Sequence, residues 1–116
     1  MPFKSPFGAL KEIRDNIDLA RSFVAGLSFD SFRIDQRTVY AVTRCLEIVS
    51  EASRKLRDEL KARHRDIPWA NIAAAGNVYR HDYEEVLDEI VWRTVELGLE
   101  PLRRGVEQEL ARLEKD

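Results

Sequence analysis

The feature that most constrains this fold is a row of apolar residues that recurs every three or four positions. In the first part of the chain its members are Leu10, Ile13, Ile17, Ala20, Val24 and Leu27. That spacing places them along one face of an α-helix, which must be buried against another element. We predict a first helix from about Phe7 to Gly26, because Ser5 and Pro6 suit its start.

A second apolar row predicts a longer helix that begins after Asp35, a residue well suited to cap a helix N-terminus. Its members are Val39, Val42, Leu46, Val49 and Leu56, with a row of mostly small residues beside it at Ala41, Cys45, Ile48 and Ala52. A helix that is apolar on two sides is central in its bundle or lies at a subunit interface. Residues 28–33 are polar and aromatic, and we predict a loop that lays Phe29 and Phe32 on the core.

The second half of the chain continues the helical pattern. Ile67 precedes a proline, which disfavours helix, so we expect a third helix to start at Pro68 and to reach about Tyr83. A fourth helix is interrupted near Gly98 and Pro101. Its apolar row runs through Leu87, Ile90, Val91 and Val95 and resumes with Leu102, Val106, Leu110 and Leu113. We interpret it as either one kinked helix or two stacked segments.

Together these patterns predict the fold class. No alternation of apolar and polar residues with a period of two is present, and the gaps between predicted helices are short. We therefore expect an all-α protein, an antiparallel bundle of four or five helices whose last helix is kinked near Pro101. A length of 116 residues fits one domain, spanning residues 1–116.

Composition excludes several classes of protein. Cys45 is the only cysteine, so we expect no disulfide and interpret it as a core residue in a reducing compartment. No apolar run approaches the roughly 20 residues of a membrane span, and the first residues hold no apolar signal core. We expect a soluble, cytoplasmic protein that does not bind a membrane. A net charge of −2 does not indicate a general DNA-coating protein.

Charge is unevenly distributed along the chain. Residues 54–65 hold six basic residues and two acids, a net charge of +4, whereas residues 82–100 hold seven acids and Arg93, a net charge of −6. Such asymmetry permits a local phosphate-binding face or a surface for a complementary partner. Solvated helix faces are the simpler explanation of both segments.

The segment that carries candidate chemistry runs from Asn77 to Tyr83. In a helix, Asn77 and His81 share a face, and histidine is the side chain best suited to proton transfer near neutral pH. Taken alone, His81 is more simply a structural histidine at a helix end. His64 lies in a charged stretch that we predict to be exposed, and we assign it no role. No histidine–carboxylate spacing indicates a metal site.

Four segments in this order and spacing resemble the HepT-like proteins of the HEPN superfamily: residues 38–52, 67–72, 77–83 and 90–95. The resemblance extends from about Leu10 to Leu113. It implies a HEPN helical bundle that forms a homodimer and cleaves RNA as a toxin, without metal or other cofactor. It also implies a minimal nucleotidyltransferase as the cognate antitoxin.

The family's signature is an arginine, four to six further residues, a histidine, and a tyrosine two places later. His81 matches the histidine, Tyr83 matches the tyrosine that the antitoxin adenylylates, and Asn77 matches the polar residue after the arginine. The arginine itself is absent, because position 76 is glycine and positions 74 and 75 are alanine. Losing such a cation commonly lowers a rate by about 100- to 1000-fold. Arg80 is the nearest candidate replacement.

Three hypotheses remain at this point. The first is a ribonuclease toxin in which His81 is the acid and base, Asn77 orients it or holds a phosphate, and Arg80 is the substitute cation. The second is a catalytically silent HEPN domain that binds a nucleotide, RNA or the nucleotidyltransferase, and the third is a purely structural dimer. On the basic segment, residues 54–65, the candidate RNA contacts are Arg54, Arg57 and Lys61. The same surface could instead dock the antitoxin.

Overall fold

The computed structural model describes residues 5–81 and 84–115, without the side chains of residues 78–81 and 84–86. A π-helical turn, Thr94–Gly98, joins its last two α-helices, and the described ranges contain no strand. The prediction of an all-α fold is therefore confirmed. The helices are α1 (Phe7–Val24), α2 (Phe29–Ile34), α3 (Gln36–Arg54), α4 (Asp58–Ala62), α5 (Trp69–His81), α6 (Glu84–Arg93) and α7 (Glu100–Lys115).

Helix α3 is the central element of the bundle. It packs against α1, α5, α2 and α6, as its two apolar sides predicted. Asp35 caps it as expected, because the Asp35 carboxylate accepts a hydrogen bond from the backbone N–H of Thr38. Cys45 is buried in this helix, and burial raises the pKa of its thiol, which keeps it in the neutral form suited to a core residue.

Helices α1 and α7 run antiparallel. Arg103 of α7 donates two hydrogen bonds to the carboxylate of Asp18, at 2.8 and 3.1 Å, and Arg21 donates one to Glu100 at 2.9 Å. Residue numbers thus rise along α1 as they fall along α7. Beneath these pairs, α1 buries the predicted apolar row from Leu10 to Val24, and α7 buries Leu102, Val106 and Leu110.

The segment predicted to be a loop at residues 28–33 is instead the short helix α2. Ser28 and Ser31 stabilise its first turn reciprocally: each hydroxyl accepts a hydrogen bond from the other residue's backbone N–H. Phe32 is fully buried, with its ring centroid 5.2 Å from that of Trp92, and Phe29 packs half-buried beside it. The expected packing of both aromatic residues on the core is confirmed, but six residues were too few to reveal a helical period.

The predicted interruption of the last helix is present, and it precedes Pro101. The backbone follows π-helical geometry from Thr94 to Gly98, and the Thr94 hydroxyl donates a hydrogen bond to the Ile90 carbonyl at 2.7 Å. Pro101 lies in the first turn of α7, where a missing backbone N–H costs little. Among the described helices, none is both long enough and apolar enough to cross a bilayer.

Candidate functional site

The start of α5 is fixed by Trp69. Its indole N–H donates hydrogen bonds to the carbonyls of Lys61 (3.2 Å) and His64 (3.0 Å), and the Lys61 ammonium lies 6.0 Å from the ring centroid. The helix therefore begins against the end of α4, immediately after Pro68, as the sequence predicted. This anchoring sets the direction in which α5 carries Asn77 and His81.

Ser50 joins α3 to the middle of α5. Its hydroxyl donates a hydrogen bond to the Ala73 carbonyl at 3.1 Å and accepts one from the backbone N–H of Gly76 at 3.2 Å. Gly76 is buried in this contact, whereas Asn77 is exposed. A side chain at position 76, where the resemblance led us to expect an arginine, would have to fit into the contact between α3 and α5.

Arg54 reaches α5 at the same place. Its Nε and Nη2 atoms both donate to the Ala73 carbonyl, at 3.0 and 2.5 Å, although the residue as a whole is exposed. One backbone oxygen thus accepts from both donors on one edge of the guanidinium. Nothing in the local sequence signals this contact, because it depends on how closely α3 and α5 pack.

The three predicted RNA contacts have different surroundings. Arg54 contacts the middle of α5 through the Ala73 carbonyl. Arg57 lies 3.5 Å from the carboxylate of Glu59, and Lys61 lies over the Trp69 ring. The structure therefore brings Arg54 to the stretch of α5 that leads to the predicted catalytic histidine.

The remaining predicted residues are only partly described. His81 is the last residue of α5, and its side chain and that of Arg80 lie outside the described residues. Tyr83 lies outside them entirely. Because α5 is continuous from Trp69 to His81, the backbones of Asn77 and His81 stand one turn apart, about 6 Å along the axis, on the same side of the helix.

His64 is not exposed, contrary to expectation. It is 8% exposed, and its Nε2 atom lies 2.6 Å from a carboxylate oxygen of Glu109, which is itself 5% exposed. Arg63 donates two hydrogen bonds to the same carboxylate, at 3.1 and 2.7 Å. The Arg63 hydrogen bonds, followed by that of His64, lower the pKa of Glu109 despite its burial.

A signal for this cluster was present in the sequence. Gly105 and Glu109 interrupt the apolar row of α7 on its buried side, and a carboxylate in such a row needs a cationic or hydrogen-bonding partner. The turn before α5 supplies both partners. In the described part of the chain, no group of histidine, cysteine and acidic side chains is arranged to hold a metal ion.

The described helices form an all-α bundle around α3, which is the architecture of a HEPN-type helical bundle. The sequence matches the family described as "Ribonuclease HepT-like" over residues 13–109. The chain belongs to this family.

Individual relatives agree with the family match. The chain is 32% identical to "Probable ribonuclease HepT" of Thermococcus cleftensis over 85% of this chain and 90% of that protein. It is 30% identical to a "Putative RNase" of Caldanaerobacter subterraneus subsp. tengcongensis over 90% of this chain and 94% of that protein. No solved structure matches the chain significantly.

Proposed function

We propose that the chain is a metal-independent ribonuclease that acts as a homodimer and is the toxin of a HEPN/nucleotidyltransferase pair. The observation that carries this proposal is the match to the ribonuclease HepT-like family, which spans most of the bundle, from α1 to α7. Relatives of comparable length are named as ribonucleases, and RNA is therefore the substrate proposed here.

In metal-free cleavage, the phosphoryl group is transferred from one oxygen to another within the RNA strand. A base removes the proton of the 2′-hydroxyl, and that oxygen then attacks the phosphorus. The bond to the 5′-oxygen breaks as an acid protonates it, leaving a 2′,3′-cyclic phosphate and a 5′-hydroxyl. His81 is the group proposed to move both protons, one copy from each subunit acting as base and as acid. Asn77, exposed one turn earlier, is proposed to orient that histidine or to hold a phosphate oxygen.

Cleavage of a labelled single-stranded RNA in the presence of a chelator tests the catalytic part of the proposal. We expect His81→Ala to lower the rate by about 100-fold or more. Arg37→Ala, which removes an exposed charge at the start of α3, should retain the parent rate. Equal rates for parent and His81→Ala, or no cleavage by the parent, would overturn the assignment.

Mixing experiments test the shared site. If acid and base come from two subunits, a growing excess of His81→Ala chain should lower the activity of a fixed amount of parent chain as subunits exchange. An activity that is independent of the excess, or a chain that sediments as a monomer at working concentration, would contradict the homodimeric site.

The nucleotidyltransferase partner has its own test. Incubation with a minimal nucleotidyltransferase and ATP should add the mass of AMP to the parent chain and to Arg37→Ala, but not to Tyr83→Phe. The modified chain should also lose RNA cleavage. Addition of AMP to Tyr83→Phe at the parent level would exclude Tyr83 as the modified residue.

A second candidate is a HEPN domain that binds RNA, a nucleotide or the nucleotidyltransferase without cleaving. The observation that favours it is Gly76, which is buried against Ser50 where the family signature has an arginine. Saturable binding of a fluorescent RNA by a parent chain that does not cleave it would favour this function. Cleavage that depends on His81 would exclude it.

A further inference from the structure

Arg54 is held in a fixed position by a neutral oxygen and not by any of the described carboxylates. Two of the five N–H groups of its guanidinium bond to the Ala73 carbonyl, and the other three bond to no described residue. None of the described carboxylates forms an ion pair with it. A cation whose position is already fixed, and whose remaining donors face solvent, is preorganised to receive an anion.

Other cations of the same basic segment are placed differently. Arg57 lies 3.5 Å from Glu59, Lys55 lies 3.9 Å from Glu12, and Arg63 is bound by Glu109 on two nitrogens. Each has a carboxylate that an incoming phosphate would have to displace. Arg54 is bound by a neutral carbonyl oxygen, so an anion can join it without breaking an ion pair to any described carboxylate.

The position of this guanidinium on α5 is specific. In an α-helix the carbonyl of residue 73 points along the axis towards residue 77. A group bonded to the Ala73 oxygen therefore lies beside residues 76 and 77, in the turn directly before that of His81. Gly76 carries no side chain that would compete for this space, and Asn77 adds an exposed amide next to it.

We propose that Arg54 contacts the phosphate at which RNA is cleaved and stabilises its charge in the transition state. The cation is thus supplied by α3, at the point where α5 has only a glycine. This inference rests on the proposed ribonuclease function and assigns one residue of its active site. Asn77 and the free N–H groups of Arg54 would hold non-bridging oxygens of the same phosphate.

Two substitutions at this position separate charge from shape. Arg54→Gln removes the charge, whereas Arg54→Lys keeps a cation on a flexible side chain that can still reach α5. Arg37→Ala removes an exposed arginine from the other end of α3 and serves as the matched control. For each chain, kcat and KM for metal-free cleavage of a labelled RNA and the midpoint of thermal unfolding are measured.

We expect Arg54→Gln to lower kcat by about 100-fold or more. Arg54→Lys should recover about a tenth of the parent rate or more, and Arg37→Ala should match the parent. A residue that only joined α3 to α5 would instead lower activity in step with the unfolding midpoint, with no preference for lysine over glutamine. Either that result, or a kcat for Arg54→Gln within about threefold of the control, overturns the role of Arg54 while the ribonuclease function stands. If the parent chain does not cleave at all, the ribonuclease function fails and the role of Arg54 in it fails too.

Discussion

His64 and Glu109, 45 residues apart in the sequence, form a buried pair in which the imidazole Nε2 lies 2.6 Å from a carboxylate oxygen. Arg63 binds the same carboxylate from the solvent side. The pair fastens the turn after α4 to α7, and the carbonyl of His64 in turn accepts a hydrogen bond from Trp69 at the start of α5. The start of α5 is thus anchored by the cluster of Arg63, His64 and Glu109, which lies at the opposite end of this helix from the proposed active site.

Replacing Glu109 by glutamine should destabilise the protein. The neutral amide removes the buried charge that accepts hydrogen bonds from Arg63 and lies against His64, so we expect the free energy of unfolding to fall by about 2 kcal/mol. Glu107→Gln is the control on the same helix, because Glu107 is half exposed and its pair with Arg103 is long, at 3.9 Å. This substitution should lower the free energy of unfolding by less than about 0.5 kcal/mol. Urea denaturation measures both. Equal losses would show that the Glu109 cluster adds no particular stability.

Acidification should weaken the same cluster. Hydrogen bonds from Arg63 hold the pKa of Glu109 below its ordinary value of 4.5 in the folded protein. This contribution to stability is complete above the unfolded pKa and is lost as pH falls through the lower, folded pKa. We therefore expect the free energy of unfolding to decrease between about pH 5 and about pH 3. The decrease should be smaller in Glu109→Gln, and an unchanged slope in that variant would remove Glu109 as its source. Asp18, whose pKa is lowered by Arg103, adds to the slope in both chains.

Replacing a helical glycine by alanine should affect thermal stability differently at Gly105 and at Gly8. A Cβ at Gly105 would lie 2.7 Å from Ile67 Cδ1 and 3.3 Å from His64 Nδ1, both in buried side chains, whereas a Cβ at Gly8 meets nothing within 4 Å. Overpacking costs about 1–3 kcal/mol, and replacing a helical glycine gains at most about 1 kcal/mol. We expect a lower thermal midpoint for Gly105→Ala and an equal or higher one for Gly8→Ala. A stabilised Gly105→Ala would mean that the turn before α5 can move away from α7 at little cost.

Ser50→Ala tests the contact between α3 and α5. The change removes the hydroxyl that bonds to the Ala73 carbonyl and the Gly76 N–H, so we expect a loss of about 1 kcal/mol. Ser22→Ala is the matched control, because its hydroxyl bonds only within α1, to Leu19, and alanine brings the same gain in helix propensity. Chemical denaturation compares the two. Equal stability of both variants would show that the Ser50 contact does not hold α5 in place.

The parts of the fold that the sequence predicted are those whose information is local. The apolar rows of α1 and α3 repeat over several turns, so their buried faces could be assigned residue by residue. Helix α2 was missed because it has fewer than two turns, and α4 was missed because its five residues lie inside a charged stretch. Asp35 and Pro68 gave correct helix starts because caps and prolines act within a few residues.

The candidate site was predictable in its residue types but not in its contacts. Asn77 could be placed in the same helix as His81 from spacing alone. The bonds from Arg54 to Ala73 could not be predicted. Every residue has a backbone carbonyl, so the sequence does not show which one a side chain contacts, and this contact depends on the separation of two helices. His64 was judged exposed from its charged neighbours, because its partner lies in the last helix.

The π-helical turn at Thr94–Gly98 makes the orientation of α7 depend on the exact number of residues between α6 and α7. One residue turns an α-helix by about 100°. The wider π-helical turn takes up one residue more than an α-helix over nearly the same rotation, so deleting one residue there would restore a regular α-helix and leave α7 facing the same way. Inserting a further residue would instead rotate α7 about its own axis relative to α6, so that Gly105 and Glu109 would leave His64 and Arg103 would leave Asp18. Natural variants should therefore tolerate a one-residue deletion at this turn better than an insertion, even though Leu97 and Glu96 within it are exposed.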